Sequence, residues 1–565
     1  MTASTNESVN PGIMDYFPLG SPRPTQTIVL KEIDSLFKRG KRIVILEAPV
    51  GSGKSAIALT LARQQAANPS RIYSEGGEPP PSPVHILTPR KSLQDQYFHD
   101  FSQYLVLMKG RNAYPCIIDE EPKVFIPILE SIRKGKVEQP KYGSPNCSEA
   151  PCRGNSKVYG ECTETHDCPY TLAVAIAQEN PIVVHNLHSF LYQTNFSDKF
   201  QKRSLMIIDE AHEIENTVRD FAKRKVVVKG IISESGITGL KTLKDWGKFL
   251  MTPTFVPEET DRDKAAKLID ENFVSARAEY LKMVSELEAR EEYYKSGFSV
   301  EIGEILDPTE NKQIATIFEF VPHYVGNEVQ RLLLAHGDKV LLMSGTIYDK
   351  GSFCKQLGIA SADAHFIRIP SSFPLGNRPI YALPEFQTDT SHGCWGENFN
   401  DMIDIVHEIM AKFDDAKGLI HAPSYSAAKQ IAKALNSRRI VTHGQSDFLY
   451  SLEKFFESKG NQVLLSPVCQ QGVDFKEDRA RFQIILRVPF MSVSSTFVKD
   501  KMQMDFPWYN YQALVTFGQQ VGRVNRSEED YGATFLVDSR FNKFISKNKG
   551  VLPTWLTDAI KYKRN

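Results

Sequence analysis

The sequence predicts an α/β fold with two parallel sheets, because short, continuous apolar runs occur in two series along the chain. The first series falls at residues 42–46, 84–87, 182–184, 205–208 and 340–343, each rich in β-branched residues or Leu. The second falls at 418–421, 439–442, 462–465, 483–488 and 534–537. Strands buried on both faces read this way, since helices cover both sides of a parallel sheet. Helical patterns at 55–67 and 91–104 follow the first two runs and supply such cover. The chain has 565 residues, enough for several hydrophobic cores.

Composition narrows the function classes. Charged residues make up 24% and hydrophobic residues 41%, ordinary for a globular chain. Lys+Arg and Asp+Glu each number 68, so bulk charge gathers no polyanion and a nucleic-acid surface must be a local patch. The clusters at 219–229 and 561–564 are candidates for it. No apolar run approaches the ~18 residues that span a bilayer. The opening MTASTNESVN lacks the basic-then-apolar order of a secretory leader, so the expected location is the cytoplasm, with the nucleus left open.

The first run leads into a phosphate-binding loop. Residues 48–55, APVGSGKS, follow the pattern G-x-x-x-x-G-K-S with Ala in first place. Gly51 and Gly53 let backbone N–H groups turn inward around phosphate oxygens, with Ser52 between them, and the following helix adds its positive end. Lys54 suits the β- and γ-phosphates, and the Ser55 hydroxyl suits Mg²⁺. The run at 205–208 ends in Asp209-Glu210-Ala211-His212. Asp209 would hold Mg²⁺ and Glu210 would deprotonate an attacking water, as phosphoryl transfer requires. His212 would couple this site to the rest. On a continuous helix, Gln519, Arg523 and Arg526 step by 4 and 3, giving two guanidinium groups on one face for a γ-phosphate. Read alone, those arginines would sooner pair with Glu528 or Glu529.

Two segments fit neither series. Five of the eight cysteines (Cys116, Cys147, Cys152, Cys162 and Cys168) lie in a stretch rich in Pro, Gly and Asn. No pair has C-x-x-C spacing, so four thiolates on a [4Fe–4S] cluster suit the segment better than a zinc ribbon. Residues 220–325 are highly charged. There Ile269, Phe273, Ala276, Tyr280, Val284 and Leu287 form one helix face, which predicts a helical insertion packed on a helix at 240–250.

The motifs and their order resemble those of superfamily 2 helicases. Arg23-Pro-Thr-Gln26 resembles the adenine-reading Q motif, and Leu87-Thr-Pro-Arg90 resembles motif Ia. Ser344-Gly-Thr-Ile347, His421-Ala-Pro-Ser424, Gln471-Gly-Val-Asp474 and the QQVGRVNR at 519–526 resemble motifs III to VI. Gly110-Arg-Asn-Ala-Tyr-Pro-Cys116, Cys168-Pro-Tyr170 and Val183-Val-His-Asn186 resemble the surroundings of the iron–sulfur domain in the XPD/DinG family. The resemblance runs from about residue 17 to about residue 540.

The resemblance implies two RecA-like motor domains, with an iron–sulfur insertion and a helical arch in the first. The corresponding ranges are 1–104, 171–219 and 326–360 for motor domain 1, 105–170 for the cluster, 220–325 for the arch and 361–565 for motor domain 2. It implies an ATP-dependent DNA helicase that moves 5′ to 3′ on single-stranded or forked DNA, as a monomer. A translocase that remodels without strand separation, or a nucleotide-gated binding module, are the alternatives. Lys54, Asp209, Glu210, His212, Gln519, Arg523 and Arg526 would serve hydrolysis. Gln26, Gly51, Ser52, Gly53, Ser55, Gly472 and Asp474 would hold the nucleotide. Thr88, Arg90, Ser344, Thr346 and Ser424 would meet DNA. Cys116, Cys152, Cys162 and Cys168 are the implied cluster ligands, with Cys147 the alternative to Cys152. ATP, Mg²⁺ and a [4Fe–4S] cluster are the implied cofactors.

Overall fold

The computed structural model describes residues 11–67, 83–117, 122–134, 136, 146–150, 152, 168–197, 199–229, 239–240, 245–246, 297–306, 313–469, 475, 477–525 and 527–563. The predicted arch helices at 240–250 and 269–287 fall outside them, apart from residues 240 and 245–246.

The strands are β1 (Ile43–Glu47), β2 (Val84–Thr88), β3 (Val106–Met108), β4 (Ile182–Asn186), β5 (Arg203–Ile208), β6 (Arg224–Lys229), β7 (Phe298–Leu306), β8 (Gln313–Pro322), β9 (Gly337–Ser344) and β10 (Ala364–Arg368). There follow β11 (Ile380–Tyr381), β12 (Gly418–His421), β13 (Ile440–Val441), β14 (Val463–Ser466), β15 (Phe482–Ile485), β16 (Ala533–Leu536) and β17 (Ile560–Lys561).

Seven of these form the first sheet, in the order β10-β1-β9-β5-β2-β4-β3, and every ladder in it is parallel. β1 and β2 are buried along their whole length. One core lies on each face of the sheet. Val44, Leu46 and Ile86 point into one core, and Ile45, Leu87 and Ile208 into the other. The ladders set the site geometry: Glu47 pairs with Ser344, and Ile208 with Leu342. The loops after β1, β5 and β9 therefore leave the same edge, where parallel α/β sheets place ligands.

The second sheet has the order β13-β14-β12-β15-β16-β11-β17, again with parallel ladders. The helix Phe506–Val521 leaves this lobe and returns to the first. Trp508 Nε1 and Gln512 Nε2 each donate to Glu215 Oε2 at 3.0 Å, and Tyr511 Oη donates to Ile347 O at 2.9 Å.

The segment expected to be helical begins and ends in strands. β6, β8 and β7 form an antiparallel sheet with β8 in the centre. It docks on the helix Thr496–Met504, where Ser299 Oγ donates to Asp500 Oδ2 at 2.6 Å and Ser495 Oγ to Glu301 Oε1 at 2.6 Å. Two more expectations change. Arg219, in a basic cluster that was one candidate for a DNA patch, is buried, ion-paired with Glu215 and stacked 4.7 Å from the Phe497 ring. The helix carrying Gln519 ends at Val521, so Arg523 lies beyond it in a turn, where Arg523 N donates to Gln520 O at 3.1 Å.

Candidate active site

The phosphate loop is shaped by its glycines. Gly51 and Gly53 have φ of 77° and 78°, a region closed to most side chains. A Cβ on Gly53 would overlap the Gln26 amide. Gln26 is buried; its Nε2 donates to Ser52 O at 3.1 Å and its Oε1 accepts from Arg23 N at 2.8 Å. Gln26 thus braces the loop. Lys54 Nζ donates to Ala48 O at 3.2 Å.

Asp209 and Glu210 stand at the end of β5, beside the loop. Burial and the adjacent Glu210 charge push the Asp209 carboxyl up to about 6, against the pull of Lys54. Burial would raise Glu210 too. The charges of Lys54, His212, Arg523 and Arg90 outweigh it and hold Glu210 below the usual carboxylate range. Glu210 sits at φ 51°, an uncommon conformation for this residue. Its carboxylate thereby faces cations from both lobes.

A residue the motifs did not flag joins the two residues expected to hold Mg²⁺, Asp209 and Ser55. Tyr97 is buried, donates from Oη to Asp209 Oδ2 at 3.1 Å and is hydrogen-bonded to the Ser55 hydroxyl. Its signal was a polar-tipped ring on the face of the predicted helix that also buries Gln94 and Phe101.

A relay leads from this pair to the other lobe. His212 Nδ1 is 2.8 Å from Ser344 Oγ, which accepts from Thr346 N at 3.2 Å. Gln519 Nε2 donates to Thr346 Oγ1 at 2.8 Å, and Arg523 Nη2 donates to Gln519 Oε1 at 2.9 Å. Lys54, Glu210, His212, Gln519 and Arg523 all line one cleft of about 230 Å³ between the lobes. Arg526, Gly472 and Asp474 lie outside the described residues.

The residues expected on DNA are placed unevenly. Ser344 and Thr346 are buried within the relay, and Thr88 is buried with its hydroxyl on Arg90 O at 3.1 Å. Arg90 lines the cleft and reaches Glu213 at 3.4 Å. Ser424 is exposed and caps the helix Tyr425–Leu435, accepting from Ala427 N at 3.1 Å.

Four cysteines gather near the edge of the first sheet in two pairs. Cys147 and Cys168 share a hydrogen bond, which draws the Cys168 thiol down to about 5 and pushes Cys147 up. Cys116 packs with Ala150 and Cys152, and its charge is felt at Cys147. Cys162 lies outside the described residues. Among the described residues, no three potential ligands stand close enough to hold a metal ion. The soft, all-sulfur donor set suits iron–sulfur chemistry, and Cys147 stands beside Cys168 as readily as Cys152 stands beside Cys116.

Two parallel sheets in separate lobes, with a phosphate loop, an acid pair and an arginine facing them across a cleft, define a two-lobed P-loop ATPase. The particular kind follows from comparison with known proteins. Residues 19–233 match the family described as type III restriction enzyme, res subunit, and residues 406–559 match the helicase C-terminal domain. The ATP-dependent DNA helicase YoaA of Haemophilus influenzae is 20% identical over 91% of this chain and 90% of that protein. The XPD subunit of Dictyostelium discoideum transcription factor IIH is 30% identical over 19% of this chain and 15% of its own length. The Bacillus subtilis 3′-5′ exonuclease DinG is 25% identical over 36% and 24%. A solved XPD helicase superposes with a TM-score of 0.57 at 14% identity, covering 94% of this chain and 98% of that one. S. tokodaii Xpd4 gives 0.53 at 13%, covering 96% and 100%. These likenesses support the reading of the chain as an XPD/DinG-like superfamily 2 helicase. Among the described residues, no helix is long and apolar enough to cross a membrane.

Proposed function

We propose that this protein is an ATP-dependent DNA helicase that moves 5′ to 3′ along single-stranded DNA and opens forked duplexes as a monomer. The observation that carries this reading is the convergence of Lys54 and Glu210 from one lobe with Arg523 from the other on a single cleft. Lys54 neutralises the terminal phosphates. Ser55 and Asp209, held together by Tyr97, would hold Mg²⁺, which would supply charge neutralisation to the phosphates. Glu210 orients the attacking water and takes its proton on the carboxylate. Arg523 stabilises the charge on the transferring phosphoryl group, so hydrolysis and release alter the attraction between the lobes. DNA bound across both lobes is held through its backbone and without sequence preference.

The YoaA, XPD and DinG relatives support this reading. The cysteine segment supports a [4Fe–4S] cluster held by Cys116, Cys162, Cys168 and either Cys152 or Cys147. Such a cluster ties an irregular segment to the lobe, and hydrolysis does not pass through it.

The test measures ATP turnover with and without single-stranded DNA, forked-duplex unwinding, and iron content of anaerobically purified protein. The reading expects DNA-stimulated turnover, unwinding from a 5′ tail, and about four irons lost on Cys168→Ser. Turnover indifferent to DNA would overturn the motor, and turnover without strand separation would leave a translocase.

A further inference from the structure

Gly518 is out of place by helix propensity. It lies inside the helix Phe506–Val521, next to Gln519, where glycine weakens a helix. Its φ is not positive, so conformational freedom is not the reason for it. Space is the reason: a Cβ there would overlap Tyr348 Oη and crowd Tyr348 Cζ at 2.7 Å. The Tyr348 ring, from the first lobe, therefore rests on bare backbone of the helix that carries Gln519.

Tyr348 is held firmly for this contact. It sits at φ 57°, a strained conformation for an aromatic residue. Its N–H donates to the Glu47 carboxylate, and its carbonyl accepts from Arg368 Nη2. Arg368 Nε is also 2.6 Å from Glu47 Oε1, and Glu47 is 1% exposed. Glu47 is the last residue of β1, immediately before the phosphate loop. The Tyr348 hydroxyl is buried and has no hydrogen-bond partner among the described residues. A polar group left bare in a packed interface costs stability and signals a role beyond packing.

We infer that Tyr348 is a positioning residue: the Glu47–Arg368 pair fixes its ring as the bearing on which the helix carrying Gln519 and, just past its end, Arg523 turns when nucleotide draws the lobes together. The contact at Gly518 carries no hydrogen bond of its own, so movement there breaks none. The directional bonds, Gln519 to Thr346 and Tyr511 to Ile347, lie on either side of it. This rests on the proposed motor function.

Size complementarity tests it. Gly518→Ala, Tyr348→Leu and the double variant are compared with wild type by DNA-stimulated turnover. Independently of turnover, the lobe-to-lobe distance is read with a dye pair, with and without a non-hydrolysable ATP analogue. Gly518→Ala is expected to lose at least about tenfold in kcat with little change in the ATP KM, and to close less on the analogue. Tyr348→Leu is expected to lose less. The double variant is expected to recover most of the kcat and the closure lost in Gly518→Ala, a recovery that general destabilisation cannot produce. Wild-type closure and turnover in Gly518→Ala, or losses that simply multiply in the double variant, would overturn the inference. A wild type without turnover defeats the motor reading instead, and the lobe distances still decide the bearing.

Discussion

Glu210 and Arg523 stand close enough for each to feel the other's charge, although 313 positions separate them in sequence. Glu210 is the base in this account, so Glu210→Gln is expected to cut kcat by about 10²–10⁴-fold while nucleotide binding persists. Steady-state turnover beside analogue binding checks both halves. Arg523 is proposed to act on the transferring phosphoryl group. Arg523→Ala is expected to lower kcat by about 10³–10⁵-fold, and Arg523→Lys to recover little, because a planar fork is not replaced by a point charge. Single-turnover hydrolysis with DNA present measures this directly. Some residues of the site were legible in sequence because their chemistry fixes local spacing. The phosphate loop and the acid pair are of this kind. Tyr97 and Tyr348 were not, since each acts through a partner far away in the chain and no short pattern records such contacts.

At the scale of elements, the hub around Glu215 ties the helix Ile214–Ala222, just after the acid pair, to the helix that carries Gln519. Glu215 accepts from Arg219, Trp508 and Gln512 and is 2% exposed. Glu215→Ala leaves the buried Arg219 charge without its counter-ion. The expected loss is about 3–5 kcal/mol, read by denaturant unfolding. A second buried pair joins β2 and β4: His85 Nδ1 is 3.1 Å from His185 Nε2. Burial and the Arg203 charge hold both well below the usual histidine range. The sign follows from linkage. Below about pH 6.5 the unfolded chain takes up protons that the folded pair refuses, so stability falls as pH falls, by up to ~1.4 kcal/mol per pH unit for each histidine. Thermal melts from pH 7 to 5 are expected to show this slope, and His85→Gln/His185→Gln to flatten it.

Legibility also varied by element. The central strands of both sheets were legible because burial on two faces writes unbroken apolar runs. β3 and β11 were too short for that signal. β7 and β8 carry the alternating pattern of FSVEIGEIL and QIATIFEFVP, the mark of a sheet with one wet face. The charge density around them and the neighbouring helical stripe masked it. The helix end at Val521 was hidden for another reason: a 4-then-3 step looks helical whether or not Gly522 stops the helix.

For the whole molecule, two sheets alone make a scaffold. Function needs their lobes to meet at one nucleotide. The relay from His212 through Ser344, Thr346 and Gln519 to Arg523 supplies a route by which one lobe registers the other. The most direct test of this account is a crystal structure with Mg²⁺ and a transition-state analogue of the γ-phosphate, ADP with aluminium fluoride. Lys54 Nζ and the Arg523 guanidinium are expected both within hydrogen-bond distance of the same fluoride group, with Glu210 facing the attacking water. A closed complex in which Arg523 points away from the fluoride, while Lys54 holds it alone, would contradict it.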